Sequence, residues 1–208
     1  KIRMRSLRFF ILLFAASSLL FHPPSDFEAF AATSDGTVDK TEEINDSTTD
    51  GPVLTNSDLF GSSVANIGDL DGDGVNDLAV GAMFDDGSTT DGGAVHIIFM
   101  NDDGTVDKTE EINDENSVKK DHFGKSIANI GDLDGDGVND LAVGAYSDDA
   151  GGVNRGAVHI IFMNIDGTVK STTEINGTAN TPNGPVLGDR DDFGFSIANI
   201  GDLDGDGV

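Results

Sequence analysis

Cysteine is absent from the 208 residues, so the disulfides that hold many exported domains cannot form and the loops need another tie. Basic residues are scarce: 12 Lys and Arg stand against 38 Asp and Glu, a formal charge of −26. The stretch Gly61–Met100 has no Lys or Arg at all. A surface of that sign repels nucleic acid and anionic lipid and attracts cations. Scattered acids alone fit a solvated surface suited to salt water, but they do not account for acids gathered in clusters. The apolar run Phe9–Phe21 counts 13 residues, short of the roughly 20 that a membrane-spanning helix needs. No long helical period occurs, and no nucleophile, base and orienting group converge, so the visible residues are not expected to form an enzyme's active site.

The run follows Lys1, Arg3, Arg5 and Arg8 and precedes Ala29-Phe30-Ala31, a small-x-small pattern. Residues 1–31 therefore read as an export signal with the mature chain starting near Ala32, an uncleaved anchor being the alternative. The chain opens on Lys1, with Met4 as a candidate initiator, and stops at Val208 inside a motif, as a piece of a longer protein would. Beyond the signal remain 8 basic and 36 acidic residues, a charge of −28, and no expected membrane span.

Self-comparison sets the architecture. Phe60-Gly61, Phe123-Gly124 and Phe193-Gly194 open the same text at similar spacings, and Ala65–Val75 recurs unchanged as Ala128–Val138 and Ala198–Val208. Such periods mark stacked repeats. Within the first unit, short β-branched and apolar runs between Gly and Asp predict strands at Ser63–Ile67, Leu78–Ala82, Ala94–Met100 and Thr105–Ile112. Asn101-Asp102-Asp103-Gly104 joins the last two as a hairpin, because Asn, Asp and Gly tolerate the positive φ of tight turns. Ala94–Met100 is apolar on both faces apart from His96, so both faces of its sheet need a cover. The fold class is therefore all-β, a β-propeller of four-stranded antiparallel blades, which lack stability alone. The units run 60–122 and 123–192, with a third begun at 193–208 and a closing strand and loop at 32–59. That last assignment rests on Asp35–Asn45, which repeats the strand-four text Asp103–Asn113. Val38–Ile44 is expected to pair with a blade lying beyond Val208, since a ring closes by letting one terminal strand complete the other terminus's blade.

The chemistry lies in Asp69-Leu70-Asp71-Gly72-Asp73-Gly74-Val75-Asn76-Asp77. Side chains of Asp69, Asp71, Asp73 and Asp77, with the carbonyl of Val75, offer hard oxygen ligands to one cation. Asp132, Asp134, Asp136, Val138 and Asp140 repeat the set, and Asp202, Asp204, Asp206 and Val208 begin it again. Oxygen donors without Cys or His favour Ca2+ over zinc, and the crowded acids repel one another unless a cation offsets them. An EF-hand shares the first nine positions but needs Glu at position 12, which here is Val80 inside a predicted strand.

Phe60-Gly61, Asp69–Asp77 and Gly81-Ala82, with Phe123-Gly124, Asp132–Asp140 and Gly144-Ala145, resemble the FG-GAP repeats of the integrin alpha-subunit propeller and its prokaryotic relatives. Met83 and Tyr146 replace the family's proline after Gly-Ala. The resemblance implies a seven-bladed ring of roughly 450 residues at about 65 per blade.

Antiparallel order puts the first-to-second and third-to-fourth connections, and with them the metal loops, at one end of each blade. The other end diverges between copies: its fourth-to-first segments are Asp46–Leu59, a shorter Asp114–His122 and a longer Gly177–Asp192. Variable loops on a rigid frame often carry recognition, and drift in idle loops is the alternative. The expected protein is thus secreted or at the cell surface, with calcium bracing one face and a protein or glycan ligand on the opposite one. A scaffold attached to an extracellular enzyme beyond Val208 is the competing reading. His96 and His159 share one strand position and are expected to be packed residues. Asn45-Asp46-Ser47 and Asn176-Gly177-Thr178 fit the glycosylation pattern.

Overall fold

The computed structural model describes residues 40–87, 89–114, 120–178 and 184–202. The export signal, the first half of the Asp35–Asn45 text, and Asp204, Asp206 and Val208 lie outside the described residues. Every strand among the described residues falls in one unit, Glu42–Val208. Among the described residues no helix is long and apolar enough to cross a membrane.

Two four-stranded antiparallel sheets form, each a meander in sequence order. The first contains β1 (Phe60–Gly68), β2 (Asp77–Ala82), β3 (Ala94–Met100) and β4 (Val106–Asn113). The second contains β5 (Phe123–Gly131), β6 (Asp140–Ala145), β7 (Ala157–Met163) and β8 (Val169–Ile175). These are the blades of a β-propeller. β1 begins at Phe60 rather than at Ser63, because a bulge between those residues lets the Phe-Gly pair join the ladder, with Gly61 at φ 86°. A bulge breaks the two-residue alternation by which a strand is recognised.

The sheets meet face to face, chiefly through β5. Val95, Ile97 and Phe99 of β3 alternate toward the second blade and pack in one cluster with Phe123, Ile127, Leu141, Val143, Ile161 and Met163. Each fully buried Ile or Phe there contributes about 1.5–3 kcal/mol. The other face of β3 carries Ile98 and Met100, which pack with Val80 and Val106. Ile44 packs on that face too, against Val80 and Ile98 with Phe60 nearby. Ile112 of the first blade shares a cluster with Val143, Ile161 and Phe123, the same repeat positions in the second blade. Ile44 thus takes on the first blade the place that Ile112 takes on the second, although residues 40–44 form no strand.

The join between blades is a backbone contact. A Cβ on Gly81 would fall 2.0 Å from the Gly124 carbonyl oxygen, and one on Gly144 would fall 2.0 Å from that of Gly194. Ser63 Oγ donates to the Gly124 carbonyl at 2.7 Å, and Ser126 Oγ repeats the bond to Gly194 at 2.7 Å. Asn129 Nδ2 donates to the Asn66 carbonyl at 3.1 Å, and Asn199 Nδ2 to that of Asn129 at 2.9 Å. The third copy therefore docks on the second blade as the second docks on the first.

Gly81→Ala and Gly144→Ala are expected to cost about 3 kcal/mol or more by forcing the blades apart, measurable by denaturant unfolding, whereas Ala at exposed Gly188 should cost little.

Candidate metal centre

β1 ends at Gly68 and β2 starts at Asp77, so the connection between them is the acidic loop. Asp69 organises it: its Oδ1 accepts from the Gly72 N–H at 2.8 Å and its Oδ2 from the Gly74 N–H at 2.9 Å. Asp73 Oδ1 accepts from the Val75 N–H at 2.7 Å, and Asp71 Oδ1 accepts more weakly from the Asp73 N–H at 3.3 Å. Gly72 and Gly74 take φ of 83° and 95°, which side chains resist.

Asp77 is different, since it is 1% exposed. Its Oδ2 accepts from the Leu70 N–H at 2.8 Å and its Oδ1 from the Met100 N–H at 3.0 Å. One carboxylate thereby ties the start of the loop to the end of β3. Burial pushes its pKa up, the two N–H donors counter that, and Asp71 and Asp73 push the same way as burial.

The second loop repeats the pattern. Asp132 accepts from the N–H groups of Gly135 and Gly137 at 2.8 Å each, and Asp136 Oδ1 from the Val138 N–H at 2.9 Å. Asp140, also 1% exposed, accepts from Leu133 at 2.8 Å and Met163 at 3.1 Å.

Carboxylate oxygens of Asp69, Asp71 and Asp77 lie within 4.8 Å of one another, as do those of Asp132, Asp134 and Asp136. The two groupings differ in membership. In the second loop Lys170 Nζ of β8 donates to Asp134 Oδ2 and to Asp136 Oδ2, both at 2.6 Å. The carboxylates hold the ammonium well above the usual lysine range. Its hydrogen bond in turn lowers the Asp136 pKa, helped by the Val138 N–H. Sequence reading missed Lys170, although alignment of Val106-Asp107-Lys108 with Val169-Lys170-Ser171 sets it opposite Asp107. Of the third set, Asp202 is exposed.

The donor set suits a hard cation: carboxylates, carbonyls within reach of a tight loop, and neither Cys nor His. Asp69, Asp71, Asp73 and Asp77, and their counterparts, would hold it, and the cation would neutralise charges that otherwise repel.

The two ends of the blades differ as the connections require. At the far end Phe84, His122, Tyr146 and Phe195 form a row, with neighbouring ring centroids 5.0, 5.0 and 5.3 Å apart. Lys125 Nζ lies 4.9 Å from the Phe195 centroid. His96 and His159 are buried in the blades, edge-on to Phe60 and Phe123 at centroid distances of 5.6 and 5.3 Å. Asn176 is buried and its Nδ2 donates to Glu174, so the folded blade hides that sequon nitrogen.

A family model of the FG-GAP repeat matches residues 60–98 and 123–161, from the start of β1 into β3 and from the start of β5 into β7. The two blades are FG-GAP repeats. The chain is 42% identical over 100 residues to integrin alpha-5 of Xenopus laevis, covering 47% of this chain and 9% of that one. It is 36% identical over 110 residues to integrin alpha-IIb of Homo sapiens, covering 51% and 10%. Against integrin alpha ina-1 of Caenorhabditis elegans it is 35% identical over 164 residues, covering 71% and 14%. The chain thus spans only a small part of the length of these relatives. The FG of one repeat and the GA of the preceding one, which give the repeat its name, are the residues of the Gly124–Gly81 contact.

With chelator present, Asp77→Ala should destabilise the chain by about 1–3 kcal/mol for each buried N–H left without an acceptor, while Asp71→Ala should change little; with calcium both should destabilise. Denaturant titrations in the two conditions check this. Burial also raises the Asp148 pKa, opposed by the Ala150 N–H that its Oδ1 accepts at 2.6 Å and reinforced by Glu174. A carboxyl whose folded pKa lies above its unfolded 3.8 costs stability when ionised, and that cost fades as pH falls through the raised value. Asp148→Asn should therefore raise the melting temperature at neutral pH, with the gain vanishing by pH 3.8.

Proposed function

We propose that this chain belongs to a secreted or cell-surface β-propeller that binds calcium in its Asp loops and presents the opposite face to a protein or glycan ligand, as a recognition or adhesion module. The observation that carries this reading is the division of labour between the ends. At one end the loops repeat the same hydrogen bonds around clustered oxygen donors. At the other, loops that differ in length and sequence from copy to copy surround a row of partly exposed aromatic rings. Rings of this kind offer flat apolar area and attract cationic groups, as Phe195 does Lys125. Likeness to integrin alpha subunits supports a cell-surface role.

The ring itself belongs to the proposal. Ile160 and Phe162 of β7 are only partly buried, whereas their counterparts Ile97 and Phe99 are fully buried under the second blade. A further blade would cover them. Ile44, seated where a preceding blade's fourth strand belongs, supports 32–59 as the closing segment of a seven-bladed ring.

Chelation should lower the melting temperature of the complete protein, and each loop that refills contributes about 2.7 kcal/mol at calcium a hundredfold above its Kd. Asp71→Ala or Asp134→Ala should remove one such increment. Calcium-loaded protein should bind its surface partner, and exchange of residues 83–92 with 146–155 should alter that binding. Unchanged melting in chelator would remove the calcium brace, and unchanged binding after loop exchange would move recognition elsewhere.

A further inference from the structure

Asp107 and Lys170 occupy one structural position. Each is the residue skipped by the register at the bulge where the fourth strand begins: Phe99 pairs with Lys108 and Met100 with Val106, while Phe162 pairs with Ser171 and Met163 with Val169. A bulge re-aims its side chain. Here the bulge adjoins the residue whose N–H is held by the buried loop aspartate, Met100 by Asp77 and Met163 by Asp140. The bulge that carries position 107/170 is therefore tied to the acidic loop by the same anchor in both blades. In the second blade it delivers an ammonium to Asp134 and Asp136 at 2.6 Å from each. In the first it carries a carboxylate, and among the described residues no Lys or Arg reaches Asp69, Asp71, Asp73 or Asp77.

We propose that Lys170 is a built-in counter-cation that competes with calcium for the second loop, so that the two loops differ in affinity: the first fills at low calcium, and the second fills only when calcium displaces the lysine. This rests on the calcium reading of the loops. The two ion pairs lower charge repulsion in the calcium-free blade, and both must break before Asp134 and Asp136 turn to a metal. Lys170 is 40% exposed, with a flexible stem that lets it swing into water. Displacement is therefore a modest penalty rather than a block. Asp107 works in the opposite sense, adding negative charge beside the first loop and raising its attraction for a divalent ion.

Calorimetric titration of the full chain with calcium chloride tests this, with Asp69→Asn/Asp71→Asn silencing the first loop and Asp132→Asn/Asp134→Asn the second. Lys170→Gln should tighten the second loop about tenfold, as loss of two exposed ion pairs allows, and leave the first unchanged. Asp107→Lys should weaken the first loop by a similar factor. In chelator, Lys170→Gln should lower the melting temperature, because the carboxylates lose their counter-cation. Two loops that both bind calcium, with affinities indifferent to Lys170→Gln and Asp107→Lys, would overturn the competition while leaving the calcium reading in place. Absence of calcium binding at either loop, in wild type and Lys170→Gln alike, would overturn both.

Discussion

Backbone meets backbone where one blade joins the next, and the rest of the architecture follows from that contact. The Gly124 carbonyl approaches Gly81 so closely that no side chain fits between them. Ser63 then reaches the same carbonyl, and Val95, Ile97 and Phe99 are brought against Phe123 and the β6–β7 face. The contact recurs between Gly144 and Gly194 with the same serine bond. Because it is made at the entry to the first strand, all first strands start from the same end. The acidic loops that leave those strands are then all delivered to the opposite end.

At that end, one carboxylate per loop differs in kind from its neighbours. Asp77 and Asp140 are buried and each satisfies two backbone N–H groups, so they are part of the fold whether or not a cation is present. Asp69 and Asp132 use both oxygens to hold loop N–H groups, which shapes the loop from outside the core. Asp71 and Asp134 have little to bond within their own loops. Their charge is what a cation would neutralise, by metal or by ammonium. A loop so arranged is pre-shaped by its backbone and left electrostatically incomplete, so a cation that bound there would not have to order it.

Much of this could be read from the chain. The repeat of Ala65–Val75 marked the unit, Ala94–Met100 was recognisable by its unbroken apolar run, and the Asp spacing located the loop. Less legible was whatever depends on register. Phe60 and Gly61 join β1 only through a bulge, so alternation pointed to Ser63 as the start. Lys170 sits at a bulge in β8, two strands on from Asp140 in β6, and nothing in the spacing of the Asp motif points to it. The distinction between Asp77 as buried anchor and Asp71 as a carboxylate with only one long bond in its loop was hidden as well, because both are the same residue type in one motif. Burial, not identity, separates them.

The direction of the stack carries a further consequence. The first blade turns the face with Val95, Ile97 and Phe99 toward the second, and the second turns the face with Val143, His159 and Ile161 back toward the first. Ile112 presses on the predecessor-facing side of the second blade, and Ile44 on that side of the first. The cover at Ile44 comes from a segment that repeats the strand-four text yet forms no strand over residues 40–44, so the first blade receives an apolar contact there rather than a ladder. Bonds at the end of this segment are local: the Glu43 carbonyl accepts from Thr48 Oγ1 at 3.2 Å, and the Asn45 N–H donates to the same hydroxyl at 2.8 Å. Packing and hydrogen bonding are therefore separable here: Ile44 makes the apolar contact with the first blade, while the turn that follows it makes the bonds.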